Sequence, residues 1–145
     1  MKREIIDPYE IGTAAEEFFK EKANQGSGYT IDGYTFTKPT DHRKKSKRPD
    51  NKKGLEYDFF CGLKDKSRTQ IHVEIKVTSK NTFEVSDQEF KTGTKLGYGE
   101  GYVIVKYRYN KKTVYSPEKW KVCVVGKEQF ANAKSITRHK ISANV

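Results

Sequence analysis

Ile71-His72-Val73-Glu74-Ile75-Lys76-Val77-Thr78 alternates without a break: Ile71, Val73, Ile75 and Val77 fall on one side, and His72, Glu74, Lys76 and Thr78 on the other. A period of two marks a β-strand with one buried face. Upstream, Leu55 to Leu63 alternates likewise, with Tyr57, Phe59, Cys61 and Leu63 on one face and Glu56, Asp58 and Phe60 on the other. Lys64-Asp65-Lys66-Ser67-Arg68 between them is a polar turn, so the two runs read as a hairpin. Symmetry about Lys66 sets Asp58 across from Glu74. Facing Cβ atoms in such a pair lie about 5 Å apart, and two carboxylates there repel unless a cation bridges them. A hard divalent ion with carboxylate and water ligands is the natural bridge.

Immediately before this hairpin, His42 to Lys53 packs seven Lys/Arg into twelve positions: Arg43, Lys44, Lys45, Lys47, Arg48, Lys52 and Lys53. The whole chain has 145 residues and a formal net charge of +10. Excess basicity on this scale points to a polyanion, and the position of the cluster sets a cationic loop (41–53) beside Asp58 and Glu74, where a phosphate backbone would pass. In composition, a nuclear-localisation-like signal or a solvated spacer would look the same. Hydrophobic residues make up 34% and aromatic ones 12%, enough for the core of one domain spanning 1–145.

Nearer the N-terminus, Asp7 caps a helix, Pro8 takes its first position, and Ile11, Ala15 and Phe18 form its apolar stripe, flanked by Ala14 and Phe19. Glu16 falls at the border of that stripe and Glu17 on the solvent side. Gly28 to Thr40 reads as one long strand or as a hairpin turning at Asp32-Gly33. Past Thr78 come a turn at Ser79 to Asn81, a short extended piece from Thr82 to Val85, and a helix capped by Ser86 with Glu89 three residues on. Leu96 to Gly101 is a glycine-rich connector without the register or following helix of a dinucleotide site. Tyr102 to Tyr109 is apolar on both faces, as in an interior strand. Lys119 to Val125 is another strand and Lys127 to Ala133 a short helix. The tail, 134–145, either adds an edge strand or stays loose. The order α-β-β-β-α-β-β-α describes an α/β sandwich with a mixed central sheet flanked by helices.

Cys61 and Cys123 sit on apolar faces, read as reduced core thiols, and have no metal–thiolate spacing. The first residues lack an apolar leader core, and no apolar run approaches eighteen residues. These features describe an intracellular protein, in cytoplasm or nucleus, without a membrane partner.

The ordered blocks Gly12-Thr13-Ala14-Ala15-Glu16-Glu17, Tyr57-Asp58-Phe59, Val73-Glu74-Ile75-Lys76-Val77-Thr78 and Phe83-Glu84-Val85-Ser86-Asp87-Gln88-Glu89 resemble the PD-(D/E)XK nuclease superfamily. Within it they look most like the domain at the C-terminus of the plant protein NO VEIN, and more distantly like restriction enzymes and Holliday-junction resolvases. One departure is Tyr57, where the superfamily's name has proline; that position supplies no ligand. The resemblance implies a restriction-endonuclease-like fold and a metal-dependent endonuclease that hydrolyses phosphodiester bonds of nucleic acid, DNA foremost, with Mg2+ or Mn2+. Asp58 and Glu74 would hold the metal, with the Ile75 carbonyl as a further ligand. Lys76 would steady the attacking hydroxide or the developing phosphorane charge. Glu16 would complete a metal shell. Gln88, Glu89, Thr78 and His72 are accessory candidates. A homodimer would suit cutting of both strands. The competing reading is a module that uses the same fold and basic loop to bind nucleic acid without cutting it.

Overall fold

Phe59 faces Val73, Phe60 faces His72 and Cys61 faces Ile71, the register of a hairpin symmetric about Lys66. The computed structural model describes residues 7–43, 58–64, 70–135 and 138–143. Leu55 to Tyr57, Lys66 and most of the basic loop, 44–53, lie outside them. The elements in chain order are α1 (Pro8–Ala23), β1 (Tyr29–Ile31), β2 (Tyr34–Asp41), β3 (Phe59–Lys64), β4 (Gln70–Thr78), β5 (Thr82–Ser86), α2 (Asp87–Leu96), β6 (Tyr102–Arg108), β7 (Lys121–Val124), α3 (Lys127–Ala131), β8 (Lys134–Ser135) and β9 (Arg138–Ser142).

Six strands form a central sheet in the order β1-β2-β3-β4-β6-β7. The neighbours β4 and β6 run parallel, and the other pairs antiparallel, so this is a mixed α/β sheet. Residues 28–40 resolve into a hairpin, with Asp32 and Gly33 both at positive φ (48° and 83°). That combination is the two-residue turn whose twist matches the strands it joins.

Helix α1 covers the face bearing Phe36, Phe59 and Val73. The Asp7 carboxylate accepts a hydrogen bond from the Tyr9 amide to start it. Its buried residues are Ile11, Ala15, Phe19 and Ala23. Ile11 and Ala15 hold the stripe as expected, while Phe19, expected at its flank, takes the place expected of Phe18. Phe19 sits among Phe36 and Phe59, with ring centroids 5.3 and 5.5 Å away. Phe18 meets Tyr29 and Tyr107 edge-on near the sheet's rim.

The opposite face carries α2 and α3. Gly93 of α2 lies so close to it that a Cβ there would come within 2.6 Å of the Phe130 ring and 3.1 Å of Tyr102. Phe130 of α3 stacks on Tyr98 at 4.2 Å.

The tail supplies two strands of a second sheet, β5-β9-β8: β8 at its edge, as one of the expectations had it, and β9 in its middle. Lys106 of β6 ties that sheet to the first. Its side chain is fully buried, and its ammonium donates to the carbonyls of Asn81 (2.9 Å) and Ala143 (2.7 Å). Burial depresses its pKa. The two sheet ends also approach each other: the Asp32 carboxylate accepts from the Val124 amide of β7 at 2.8 Å, and the Tyr107 hydroxyl meets that of Tyr29 at 3.1 Å.

Candidate active site

The β3–β4 ladder stops one pair short of Asp58 and Glu74. There the Asp58 amide donates to the Val73 carbonyl (2.9 Å), and its own carbonyl accepts from His42 (2.9 Å). Its carboxylate turns onto the backbone of β4 and accepts from the Ile75 amide at 2.7 Å. Side chain thus replaces main chain in the ladder, and Asp58 is pinned next to the central strand.

Glu74 is one of two buried polar or charged residues among those described. Lys76, on the same face of β4, places its ammonium 3.5 Å from a Glu74 oxygen. The same nitrogen lies 3.1 and 3.2 Å from the two Glu89 oxygens. Glu89 arrives there through a capping box: its amide donates to the Ser86 hydroxyl (3.0 Å), and its carboxylate accepts from the Ser86 amide (2.8 Å). The cap fixes the start of α2, and the close packing at Gly93, about one turn further on, lets the helix sit near enough for Glu89 to reach β4.

Crowded carboxylates in a dry place resist ionisation. Burial, followed by the charge of Glu16, pushes Asp58 up to about 7, against the pull of the Ile75 amide and Lys76. Burial and then Asp58 raise Glu74 well above its usual range. Glu89 moves the other way: burial opposes its charge, but Lys76 and the Ser86 amide outweigh it and lower its pKa. The hydrogen bond between Glu74 and Glu89 acts in the same two directions, raising Glu74 and lowering Glu89. Burial alone would depress Lys76, yet Glu74 and Glu89 overcome it and keep the ammonium charged.

Glu16 is part-buried and close enough to Asp58 to raise its pKa. Arg43 holds it, with guanidinium and carboxylate 3.3 Å apart. The same guanidinium pairs with Asp41 at 2.6 Å and with Glu17, and lies 5.1 Å from the centre of the Phe59 ring. Arg43 therefore leaves the set of open cations in the basic loop and becomes a clamp on α1.

Gln88 is exposed in the first turn of α2, and it is Glu89 that faces Lys76. The Thr78 hydroxyl accepts from the Lys80 amide at 3.2 Å and serves the turn. His72 lies against Phe60, the rings tilted and their centroids 4.5 Å apart. Tyr102, opposite His72 on β6, is fully buried. Burial and then Glu74 hold its hydroxyl neutral, so it forms part of the floor. The parity of β6 against β4 would point to Tyr102, but only once the parallel pairing is known.

Among the described residues, no group of three or more His, Cys, Asp and Glu side chains is arranged to hold a metal ion. The pair Asp58 and Glu74, with Ile75 between them at the Asp58 hydrogen bond, is a smaller set. It suits a magnesium-like ion, which keeps several waters and binds through one or two carboxylates. Burial first, and the neighbouring carboxylates after it, raise both acids, and a cation held between them would favour their ionised forms.

No family model matches the chain, and no curated protein matches it. One similar solved structure is Hjc, a Holliday junction resolvase from the archaeal hyperthermophile Archaeoglobus fulgidus. It is 15% identical, with a TM-score of 0.34, over 59% of this chain and 61% of that one. Among the described residues, no helix is long and apolar enough to cross a membrane.

Proposed function

We propose that residues 1–145 form one domain of restriction-endonuclease-like type that hydrolyses phosphodiester bonds in nucleic acid, DNA foremost, with Mg2+ or Mn2+. The observation that carries this reading is the convergence of Asp58, Glu74 and Lys76 at one point of the sheet, with the lysine charged and both acids reluctant to ionise without a cation. Asp58 and Glu74 would hold the ion, with the Ile75 carbonyl as a further ligand. When bound, it would supply Lewis-acid polarisation of the phosphodiester and of an attacking water. Asp58 would be kept in place by the Ile75 amide. Lys76 would turn its ammonium toward the phosphate, where it offsets charge developing on the non-bridging oxygens. Glu89 would aim Lys76 and limit its movement.

Incubation with duplex, branched and single-stranded DNA and with RNA, with and without Mg2+ or Mn2+, tests the reading. Cleavage of at least one of these only in the presence of divalent ion is expected. Binding without cleavage in either metal would leave a non-catalytic nucleic-acid-binding module.

Glu16 and Glu17 separate reach from clamping, because both pair with Arg43 but Glu16 is the one near Asp58. Glu16→Gln should reduce the cleavage rate and Glu17→Gln should not. Equal indifference would reduce Glu16 to an Arg43 partner.

Lys44, Lys45, Lys47, Arg48, Lys52 and Lys53 are proposed to track the phosphate backbone next to Asp58. Changing the first four to alanine should flatten the slope of log affinity against log salt by about 3–4 units, at roughly 0.9 per duplex phosphate contact. The rate from bound substrate should hardly change. An unchanged slope in a fluorescence titration would make the segment a spacer.

A further inference from the structure

At the C-terminal ends of the parallel strands β4 and β6 lies a cleft of about 410 Å³ that the site above does not use. Arg108, Lys111, Lys119 and Lys121 line it, together with the hydroxyl-bearing Ser79 and Thr113, and no carboxylate contributes. Several basic side chains outside it are paired: Lys20 with Asp41, Arg43 with Asp41, Glu16 and Glu17, Lys76 with Glu74 and Glu89, and Lys91 with Asp87. Lys111, Lys119 and Lys121 are exposed and make no ion pair among the described residues. Three exposed lysines gathered in one concavity repel one another and focus a positive potential outward.

The cleft is also ordered before any ligand arrives. The Asn110 side chain accepts from the amides of Lys112 (2.8 Å) and Thr113 (3.1 Å), fixing the turn that displays Lys111. Arg108 is anchored by the Asn81 side chain. Register sets Thr78 beside Arg108 and Arg108 beside Lys121, a row two residues beyond Lys76 and so about 7 Å further along the strand. Guanidinium, ammonium and hydroxyl groups in one groove are the donors that contact phosphate and sugar without reading bases.

We infer that this cleft is a second phosphate-backbone site, taking the stretch of nucleic acid that runs on from Lys76. The inference rests on the nucleic-acid reading above but not on cleavage. It assigns Lys111, Lys119 and Lys121 to sequence-independent binding, with Arg108 as the fixed member.

The test uses the full chain carrying Glu74→Gln, without metal, and a short fluorescent duplex. The triple change Lys111→Ala, Lys119→Ala and Lys121→Ala should make the salt slope shallower by about 2–3 units, at roughly 0.9 for each lost contact. Lys22→Ala, Lys95→Ala and Lys127→Ala together remove the same charge outside the cleft and should leave the slope nearly unchanged. The chain's one tryptophan supplies a local reporter. Trp120 lies 6.1 Å from the Tyr109 ring, and its indole donates to the Thr113 carbonyl at 2.6 Å, both residues lining the cleft. Its emission should shift on duplex addition, and not in the triple variant. Equal slopes in the two triple variants would overturn the proposal. So would a Trp120 response to inorganic phosphate or to anionic lipid vesicles with duplex affinity untouched by the cleft changes. A failure of the wild-type chain to cleave, with the cleft result intact, would overturn only the nuclease reading.

Discussion

Asp58→Ala, Glu74→Ala and Lys76→Ala should each lower metal-dependent cleavage by ~100-fold or more, the usual cost of losing one electrostatic or proton-transfer group. The three would fail for different reasons. Without Asp58 the Ile75 amide loses its acceptor and the proposed ion loses one carboxylate. Without Glu74 the second carboxylate goes, and Lys76 keeps only Glu89. Without Lys76 the carboxylates would still hold a cation, so Mn2+ binding by calorimetry should survive in Lys76→Ala and vanish in the Asp58/Glu74 double variant. Glu89→Gln should be milder than Lys76→Ala, because the lysine stays but is less firmly aimed. Full activity in Asp58→Ala or Glu74→Ala would sink the assignment.

A second large effect concerns stability without metal. Asp58 has a folded value of about 7 against an ordinary 3.8, so between these values the folded chain holds a proton that the unfolded chain has released. Stability must then fall as pH rises from about 4 to about 7, with Glu74 adding to the loss in the same direction. Asp58→Asn keeps an oxygen for the Ile75 amide and cannot ionise. At pH 8 in chelator it should be more stable than the wild type by on the order of 4 kcal/mol, from 1.36 kcal/mol per pH unit. That corresponds to a Tm higher by roughly 10 °C. Near pH 4 the difference should close. Mn2+ should raise the Tm of the wild type at pH 8 and leave Asp58→Asn nearly unmoved. A lower Tm for Asp58→Asn at pH 8 would show that the acids are not strained as described.

The hairpin was legible because its period, its polar turn and its symmetry agree, and the observed pairs from Phe59 to Gly62 keep that register. Ser86 with Glu89 was legible as a cap, since that signal is local. The same glutamate's bond to Lys76 was not, because it depends on how α2 packs. Phe18 and Phe19 both border the helix stripe at 100° per residue, and only the rings of Phe36 and Phe59 decide between them. Lys106 shares its face of an interior strand with Tyr102 and Ile104, and no local pattern supplies partners for its ammonium; they are carbonyls 25 and 37 residues away in sequence. The strand β9 offers Ile141 alone as a strongly apolar residue, too little for a pattern to register, and gains its place by pairing with β5. Arg43 reads as one more basic residue in a cluster until the hairpin return brings it against α1.

The approach of Asp32 to Val124 bears on how this chain meets other chains. An end strand with open amides is a template on which another chain can add a strand, the first step in edge-to-edge association and in many fibres. Here one end of the sheet is a strand of three residues, and an amide at the other is already taken by a carboxylate from the opposite rim. A negative charge at that position also repels an incoming carbonyl row. The central sheet thus guards its rims with its own hairpin, which disfavours the addition of a strand there.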